Sequence, residues 1–414
     1  MLEKMKSAWR IPELRKKIIY TFGMLLLYRL LCCIPVPGVN IAAVSEAVKS
    51  FSVLDFMNMM TGGSFQNMTI MAMGITPYIN ASIILQLLTV AIPTLEKLAK
   101  EGPEGRKKIT EWTRYLTVAL AFIQAVGLVF AMRANSYGGI WYLVIGVSMA
   151  AGTSLAMWIG ERITENGIGN GISLLIMAGI VSNMFNWSRQ AVVGLIDGTV
   201  GIIAVLVVVL AFLVMIVAIT YVDMGERRIP VQYAKRMVGR KMYGGQSTHI
   251  PMKLNSTGVM PLIFCFAILQ FPATVFAFFP TSGINLWWQG FQSGVWYQVV
   301  LAVLIIAFTY FYTGITFNPA DISKNMQQNG GIIPGIRQGR ATTDYLARVS
   351  SRLTLFSALF LAVLATIPTI ITRLFGVSTP FAASSVLIAV SVGIETIRQI
   401  EAQMVMRHHK GFLG

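Results

Sequence analysis

Apolar stretches of seventeen residues or more recur along this whole sequence, and a chain built that way has few options. At ~1.5 Å of rise per residue, each stretch covers most of a hydrocarbon core about 30 Å thick. Lipid offers no partner to a backbone N–H or C=O, so every such stretch must satisfy its own as helix. Ten spans are expected, over 18–34, 69–93, 113–132, 140–160, 170–186, 200–221, 257–279, 297–316, 351–371 and 380–400. Only 12% of the 414 residues are charged, where a soluble chain carries about a quarter. The basic run before the first span could open a signal peptide. That span ends in Cys32-Cys33-Ile34-Pro35-Val36-Pro37 without a small-x-small cleavage site, so it is expected to be retained.

The charges that remain set an orientation. Of 33 Lys and Arg, 28 fall on alternate segments: six before the first span, six after the second, Arg162 after the fourth, seven after the sixth, five after the eighth and three at the end. Lys49, Arg133, Arg189 and Arg373 fall on the other side, and Arg29 lies inside the first span, within reach of an interface or a water-filled cavity. The bias places the heavy side, and both termini, in the cytoplasm. Five spans per half would insert two related halves in opposite senses, giving a pseudo-two-fold axis in the membrane plane.

Three excursions between spans stand out. Residues 41–60 carry an apolar helical pattern too short to cross, broken by Thr61-Gly62-Gly63-Ser64, and Asp55, Asn58 and Asn67 make the segment too polar to face lipid. Read from its residues alone, it is an external amphipathic loop or a segment that lines a cavity. Residues 227–234 and 247–254 have short strand character around Tyr243-Gly244-Gly245-Gln246, which suggests a projecting hairpin. Asn329 to Arg340 is punctuated by Gly and Pro, with arginines at its tip.

Catalytic and coupling chemistry is not found in the pattern. Glu161, Glu165 and Glu395 sit at span ends, and His249, His408 and His409 lie in cytoplasmic segments. No span carries the paired carboxylates or histidines that ion-coupled transport needs. Cys32, Cys33 and Cys265 have neither zinc nor disulfide spacing. Gly167-Ile168-Gly169-Asn170-Gly171 lacks the Gly-Lys-Ser/Thr ending of a phosphate loop and reads as a tight turn opening a helix. No metal, cofactor or enzymatic role is expected. What the spans do hold is Ile-x-x-x-Ile: Ile79 with Ile83 and Ile176 with Ile180, each pair on one helix face. Such residues ordinarily face lipid or neighbouring helices. Gathered from several helices they would form a hydrophobic constriction, which blocks water and ions by dewetting.

These residues sit inside stretches that resemble one family. The matches are Arg10 to Ile18, Ile34-Pro35-Val36-Pro37-Gly38, Gly74-Ile75-Thr76-Pro77-Tyr78-Ile79 with Ala81 to Leu88, Ile163-Thr164-Glu165 with Gly167 to Ser173, Tyr233-Ala234-Lys235-Arg236, Gln246-Ser247-Thr248-His249 and Ile333-Pro334-Gly335-Ile336-Arg337. In order, over nearly the whole chain, they are similar to the SecY/Sec61 α family, the channel-forming subunits of protein translocons. The resemblance implies an all-α integral membrane protein: ten transmembrane helices in two pseudo-symmetric inverted five-helix halves, a clamshell hinged between the fifth and sixth spans, with a short plug helix. The implied parts are a cytoplasmic segment 1–17, a first half 18–186 with the plug segment about 41–67, a second half 187–400 with cytoplasmic loops about 222–256 and 317–350, and a tail 401–414.

The resemblance also implies residue roles. Ile79, Ile83, Ile176, Ile180, Ile263 and Ile388 would form the pore collar. Leu54-Asp55-Phe56-Met57-Asn58-Met59-Met60-Thr61-Gly62-Gly63-Ser64-Phe65-Gln66-Asn67 would be the plug, which decides between the two readings of that segment. Gln86, Gln124 and Gln270 are candidates for polar contacts across a lateral opening between the second and seventh spans. Arg227, Arg228, Lys235, Arg236, Arg240, Lys241, Arg337 and Arg340 would dock the ribosome or the SecA ATPase, with Arg337 central to motor coupling. Implied partners are SecE and SecG, SecA, the ribosome, preprotein signal sequences, anionic lipids, and accessory SecDF and YidC. The chain departs from the family pattern at Cys32-Cys33, at Asn80 beside a collar position and at Gln338 after Arg337. The rival reading is a secondary transporter of a small solute, which would require the missing coupling carboxylates.

Overall fold

The computed structural model describes residues 9, 11–41, 44, 58, 61–131, 139–198, 201–233, 236–238, 241–243, 247–277, 283–375 and 383–410, and most of them are helical. Helix α1 (Pro12–Leu31) begins with proline in its first turn, where the missing N–H would have had no intrahelical partner, and Glu13 complements the positive end of the helix dipole.

The sequence pattern predicts a second span over 69–93, but helix α2 (Thr76–Ala91) starts seven residues later. Residues 61–75 run instead as consecutive turns, with Met68 (φ 45°) and Gly74 (φ 53°) in the left-handed region. An irregular buried segment must find partners for its backbone. Here Val36 N–H donates to the Met68 carbonyl at 2.9 Å and Ile70 N–H to the Ile34 carbonyl at 3.0 Å, so the Ile34-Pro35-Val36 run after α1 is what steadies it. At the far end of α2, Ile92 is extended (φ −109°, ψ 114°) because it precedes Pro93. The short helix α3 (Pro93–Lys100) then leaves at a bend of 103°.

Helices α4 (Pro103–Ala131), α5 (Gly139–Asn166) and α6 (Gly171–Ile196) complete a first bundle with α1 and α2. Small residues on α5 allow this close packing: Gly146 lies against Phe122 and Val126 of α4, Gly152 against the backbone at Ile70, and Gly160 against Ile172 of α6. Between α5 and α6, Asn170 caps the new helix by accepting from Ile172 N–H (3.1 Å) and Ser173 N–H (3.4 Å), which confirms the tight-turn reading of that glycine-rich run.

A second bundle is built from α7 (Ile202–Met224), α8 (Met260–Ala277), α10 (Val295–Thr316), α12 (Arg340–Phe375) and α13 (Ala383–Lys410), with the short α9 (Gly283–Ser293) between α8 and α10. Its core includes Val208, Met215 and Ile219 of α7, Leu262 and Leu269 of α8, Ile305 of α10 and Leu361 of α12. α13 packs on both α7 and α6 and so joins the bundles. Among the described residues six helices, α4, α5, α6, α7, α10 and α12, are long and apolar enough to cross a membrane, and the bent α2–α3 pair makes a seventh. α1, α8 and α13 occupy the three other expected spans.

The expected hairpin is present. β1 (Glu226–Tyr233) pairs antiparallel with β4 (Ser247–Lys253), Glu226 opposite Lys253 and Gln232 opposite Ser247, while β2 (Arg236–Val238) and β3 (Lys241–Tyr243) pair further out. A third strand was not anticipated. β5 (Gly331–Ile332), which follows the short helix α11 (Pro319–Gln328), adds to β1 through Gln232–Ile332 and Tyr233–Gly331.

Candidate functional site

Four helices and the turn segment bring their isoleucines to one place. Ile176 and Ile180 of α6 and Ile388 of α13 are buried in a single apolar cluster, and Ile79 of α2 and Ile263 of α8 pack against it. Ile83 is also buried, at 7% exposure, but lies outside that cluster. Met71 and Ile75, which precede α2, are buried in the same cluster beside Tyr28 of α1 and Cys32 just after it. Five of the six expected collar residues therefore come together, joined by two residues from the turn segment that periodicity could not have selected.

The segment expected to form the plug is described at Asn58 and from Thr61 onward; Leu54, Asp55, Phe56, Met57, Met59 and Met60 lie outside the described residues. What is described is a tightly self-bonded turn. The Asn58 carbonyl accepts from Gly63 N–H (2.9 Å) and Thr61 Oγ1 (3.2 Å), and its side-chain Oδ1 accepts from Gln66 N–H (3.0 Å). Thr61 Oγ1 in turn accepts from Phe65 N–H at 3.2 Å. Asn58, Thr61, Ser64 and Phe65 are all buried, which an external loop would not be. Tyr28, Thr61, Ile75, Thr76, Ile79 and Ile176 line a small pocket of about 10 Å³, room for roughly one water molecule. A polypeptide could pass there only if these residues separated.

Arg29, expected within reach of an interface or a water-filled cavity, is half-buried, and its Nη2 donates to the carbonyl of Ala178, between the two α6 isoleucines in sequence.

The family model described as SecY matches residues 69–397. The protein translocase subunit SecY of Mycobacterium tuberculosis H37Rv is 41% identical over the full length of both chains. The chain belongs to the SecY family. The SecY subunits of Streptomyces scabiei (43% identical) and Aquifex aeolicus (41%) also match over all of both chains. In fold, this SecY-family chain resembles a structure described as a protein-conducting channel (TM-score 0.69, 20% identity, covering 94% of this chain and 93% of that one). It equally resembles one described by the plug domain of SecY stabilising the closed state (0.69, 21%, 94% and 92%). Sec61 of the canine ribosome–channel complex is similar as well (0.66, 19%, 94% and 93%).

The other residues singled out in this SecY-family chain are placed as follows. Gln86 and Gln124 are half-buried on α2 and α4, which pack together; Gln270 stands on α8, which touches α4. Arg227 and Arg228 are exposed on β1, with Arg228 Nε bonded to Glu226 at 2.6 Å. Arg236 and Lys241 stand in β2 and β3, and Lys235 and Arg240 lie outside the described residues. Arg337 and Arg340 are exposed, and the Arg337 carbonyl accepts from Thr342 Oγ1 at 2.8 Å. Gln338, one of the departures, donates to the Gly331 carbonyl at 3.2 Å and closes its loop onto β5.

The two loops are one body. Ile229, Val231 and Met252 of the hairpin share a buried cluster with Met326, Ile333 and Leu346 of the later loop. The sequence signal for this was a short β-like Gly331-Ile332-Ile333 run, too short to be recognised as a strand without its partner.

Proposed function

We propose that this chain is the channel subunit of a bacterial protein translocase, passing unfolded, signal-bearing preproteins across the cytoplasmic membrane and releasing apolar segments sideways into lipid. The observation that carries the reading is the convergence of Ile79, Ile176, Ile180, Ile263 and Ile388 on one buried cluster, with Met71 and Ile75 of the turn segment buried in it and Thr61 beside Ile79 and Ile176. In this reading the chain has ten spans, residues 18–186 and 187–400 are the two halves, and both termini are cytoplasmic.

The mechanism follows from physical chemistry. A resting membrane must hold its ion gradients, while a moving chain needs an aqueous path. A collar of isoleucines excludes water when its members touch, because nothing there repays an ion's lost hydration. Displacing the Asn58–Asn67 turn and parting the collar opens the path without any titrating gate. A sufficiently apolar segment leaves between α2 and α8, since lipid solvates it better by about 0.3–0.6 kcal/mol for each central Leu, Ile, Phe or Val. Gln86, Gln124 and Gln270 would lend polar contacts that keep this seam closed at rest.

The sheet β4-β1-β5 carries Arg227 and Arg228 with Arg337 and Arg340 nearby in the adjoining loop, and together with Lys235, Arg236, Arg240 and Lys241 of the hairpin sequence these would form the cytoplasmic docking surface. Guanidinium groups suit rRNA phosphates and carboxylates alike, which fits either the ribosome or SecA. SecE and SecG would embrace the bundle, anionic lipids would meet the basic face, and SecDF and YidC would act as accessories. An Arg337→Glu variant tests the coupling role: SecA-driven protection of a preprotein should collapse while SecA binding persists. Normal transport in that variant would remove Arg337 from the coupling site.

A further inference from the structure

Arg29 carries a full charge inside a membrane helix, and such a charge is kept only where something specific repays its burial. It stands in the last turn of α1, half-buried, and its guanidinium donates to the carbonyl of Ala178. That carbonyl lies on α6 two residues after Ile176 and two before Ile180, both buried in the collar cluster. The plug turn comes to the same point. A Cβ added to Gly62 would stand 2.8 Å from both Nη1 and Nη2 of Arg29 and 2.8 Å from the Gly179 carbonyl. Gly62 is in the left-handed region (φ 66°) as well, so backbone conformation and space both require glycine there.

We infer that Arg29 is the latch of the closed channel: its two terminal guanidinium nitrogens seat the Gly62 turn of the plug while its hydrogen bond holds that seat to the collar helix. The inference rests on the channel reading above and assigns a positioning residue to it. Two consequences follow from the geometry. The plug can sit home only while α1 and α6 keep their present spacing, because one side chain spans all three. Conversely, a shift of α6 that parts Ile176 and Ile180 from their neighbours drags the Ala178 carbonyl away from Arg29 and loosens the plug in the same movement. Collar and plug would thus open together, with no separate signal between them. Lysine could keep a charge near Ala178, yet it lacks the pair of terminal nitrogens that Arg29 sets beside Gly62.

The test uses the full chain with its SecE and SecG partners in proteoliposomes, reading halide leak with an entrapped dye and protease protection of a precursor with a defective signal. R29Q should raise the leak about tenfold and admit the defective precursor, R29K should fall between R29Q and the parent, and G62A should act like R29Q. In a chain lacking residues 58–67, R29Q should add nothing further. An equal rise from R29Q with and without those residues, or a parental leak in both R29Q and G62A, would overturn the latch. If R29Q does not assemble, G62A and R29K in the two backgrounds decide it. Failure of the unaltered protein to protect a normal precursor would instead count against the channel reading.

Discussion

Replacing Ile388 with asparagine puts the collar under direct strain. Ile388 is 4% exposed and shares a buried cluster with Ile176 and Ile180. Removing that side chain forfeits about 1.5–3 kcal/mol of burial. An amide left there without a partner costs about a further 1–3 kcal/mol. In the proposed channel both penalties fall on the closed state, because an open collar would let water reach position 388. Even if neighbouring residues relax enough to leave a net change of about 2 kcal/mol, the ratio of closed to open channels falls roughly thirtyfold. Ion leak in proteoliposomes should therefore rise by tens-fold, and precursors with defective signals should begin to pass. Ile83→Asn should act in the same direction but less strongly, since Ile83 is buried outside the cluster. Unchanged leak together with unchanged signal stringency in both variants would refute the assignment of these isoleucines to a gate.

Other consequences are more local. Leu346 is fully buried where the two loops meet, so Leu346→Ala should cost about 2–5 kcal/mol locally; SecA-driven transport should fall while resting leak stays at the parental level, measured in the same vesicles. Thr21 Oγ1 accepts from the buried Ile168 N–H at 3.1 Å, and Thr21→Val, which strands that donor, should destabilise by about 1–3 kcal/mol, seen as faster thermal inactivation in detergent. Gln399 Oε1 of α13 accepts from Gly169 N–H at 3.0 Å, tying the second bundle to the α5–α6 turn. Gln399→Leu should loosen that tie and increase protease access near residue 169.

Much of this was legible in the residues because a bilayer admits so few backbone solutions. Apolar length located most helices, Asn170 and the glycines around it marked the start of α6, and strand character on either side of Tyr243 gave the β1–β4 hairpin. The start of α2 was not legible. Residues 69–75 are as apolar as a span, and it is backbone bonds, Ile70 N–H to the Ile34 carbonyl and the short-range turns to Thr69 and Met71, that show they turn instead. β5 escaped notice because a two-residue strand has no periodicity to read. Arg29 was noticed as a charge inside a span, but its contacts were not legible, for a different reason. Its meaning depends on Ala178 and Gly62, which are distant in sequence and carry no charge to advertise the contact.

The central claim is that this chain conducts polypeptide. The direct measurement is protease protection of a signal-bearing preprotein in proteoliposomes holding the chain with SecE, given SecA and ATP, with Arg337→Glu in parallel. Protection that requires ATP and collapses in the variant is the expected result. Absence of protection with either protein, despite verified insertion and SecA binding, would contradict it and leave a docking platform or a small-solute transporter as the better description.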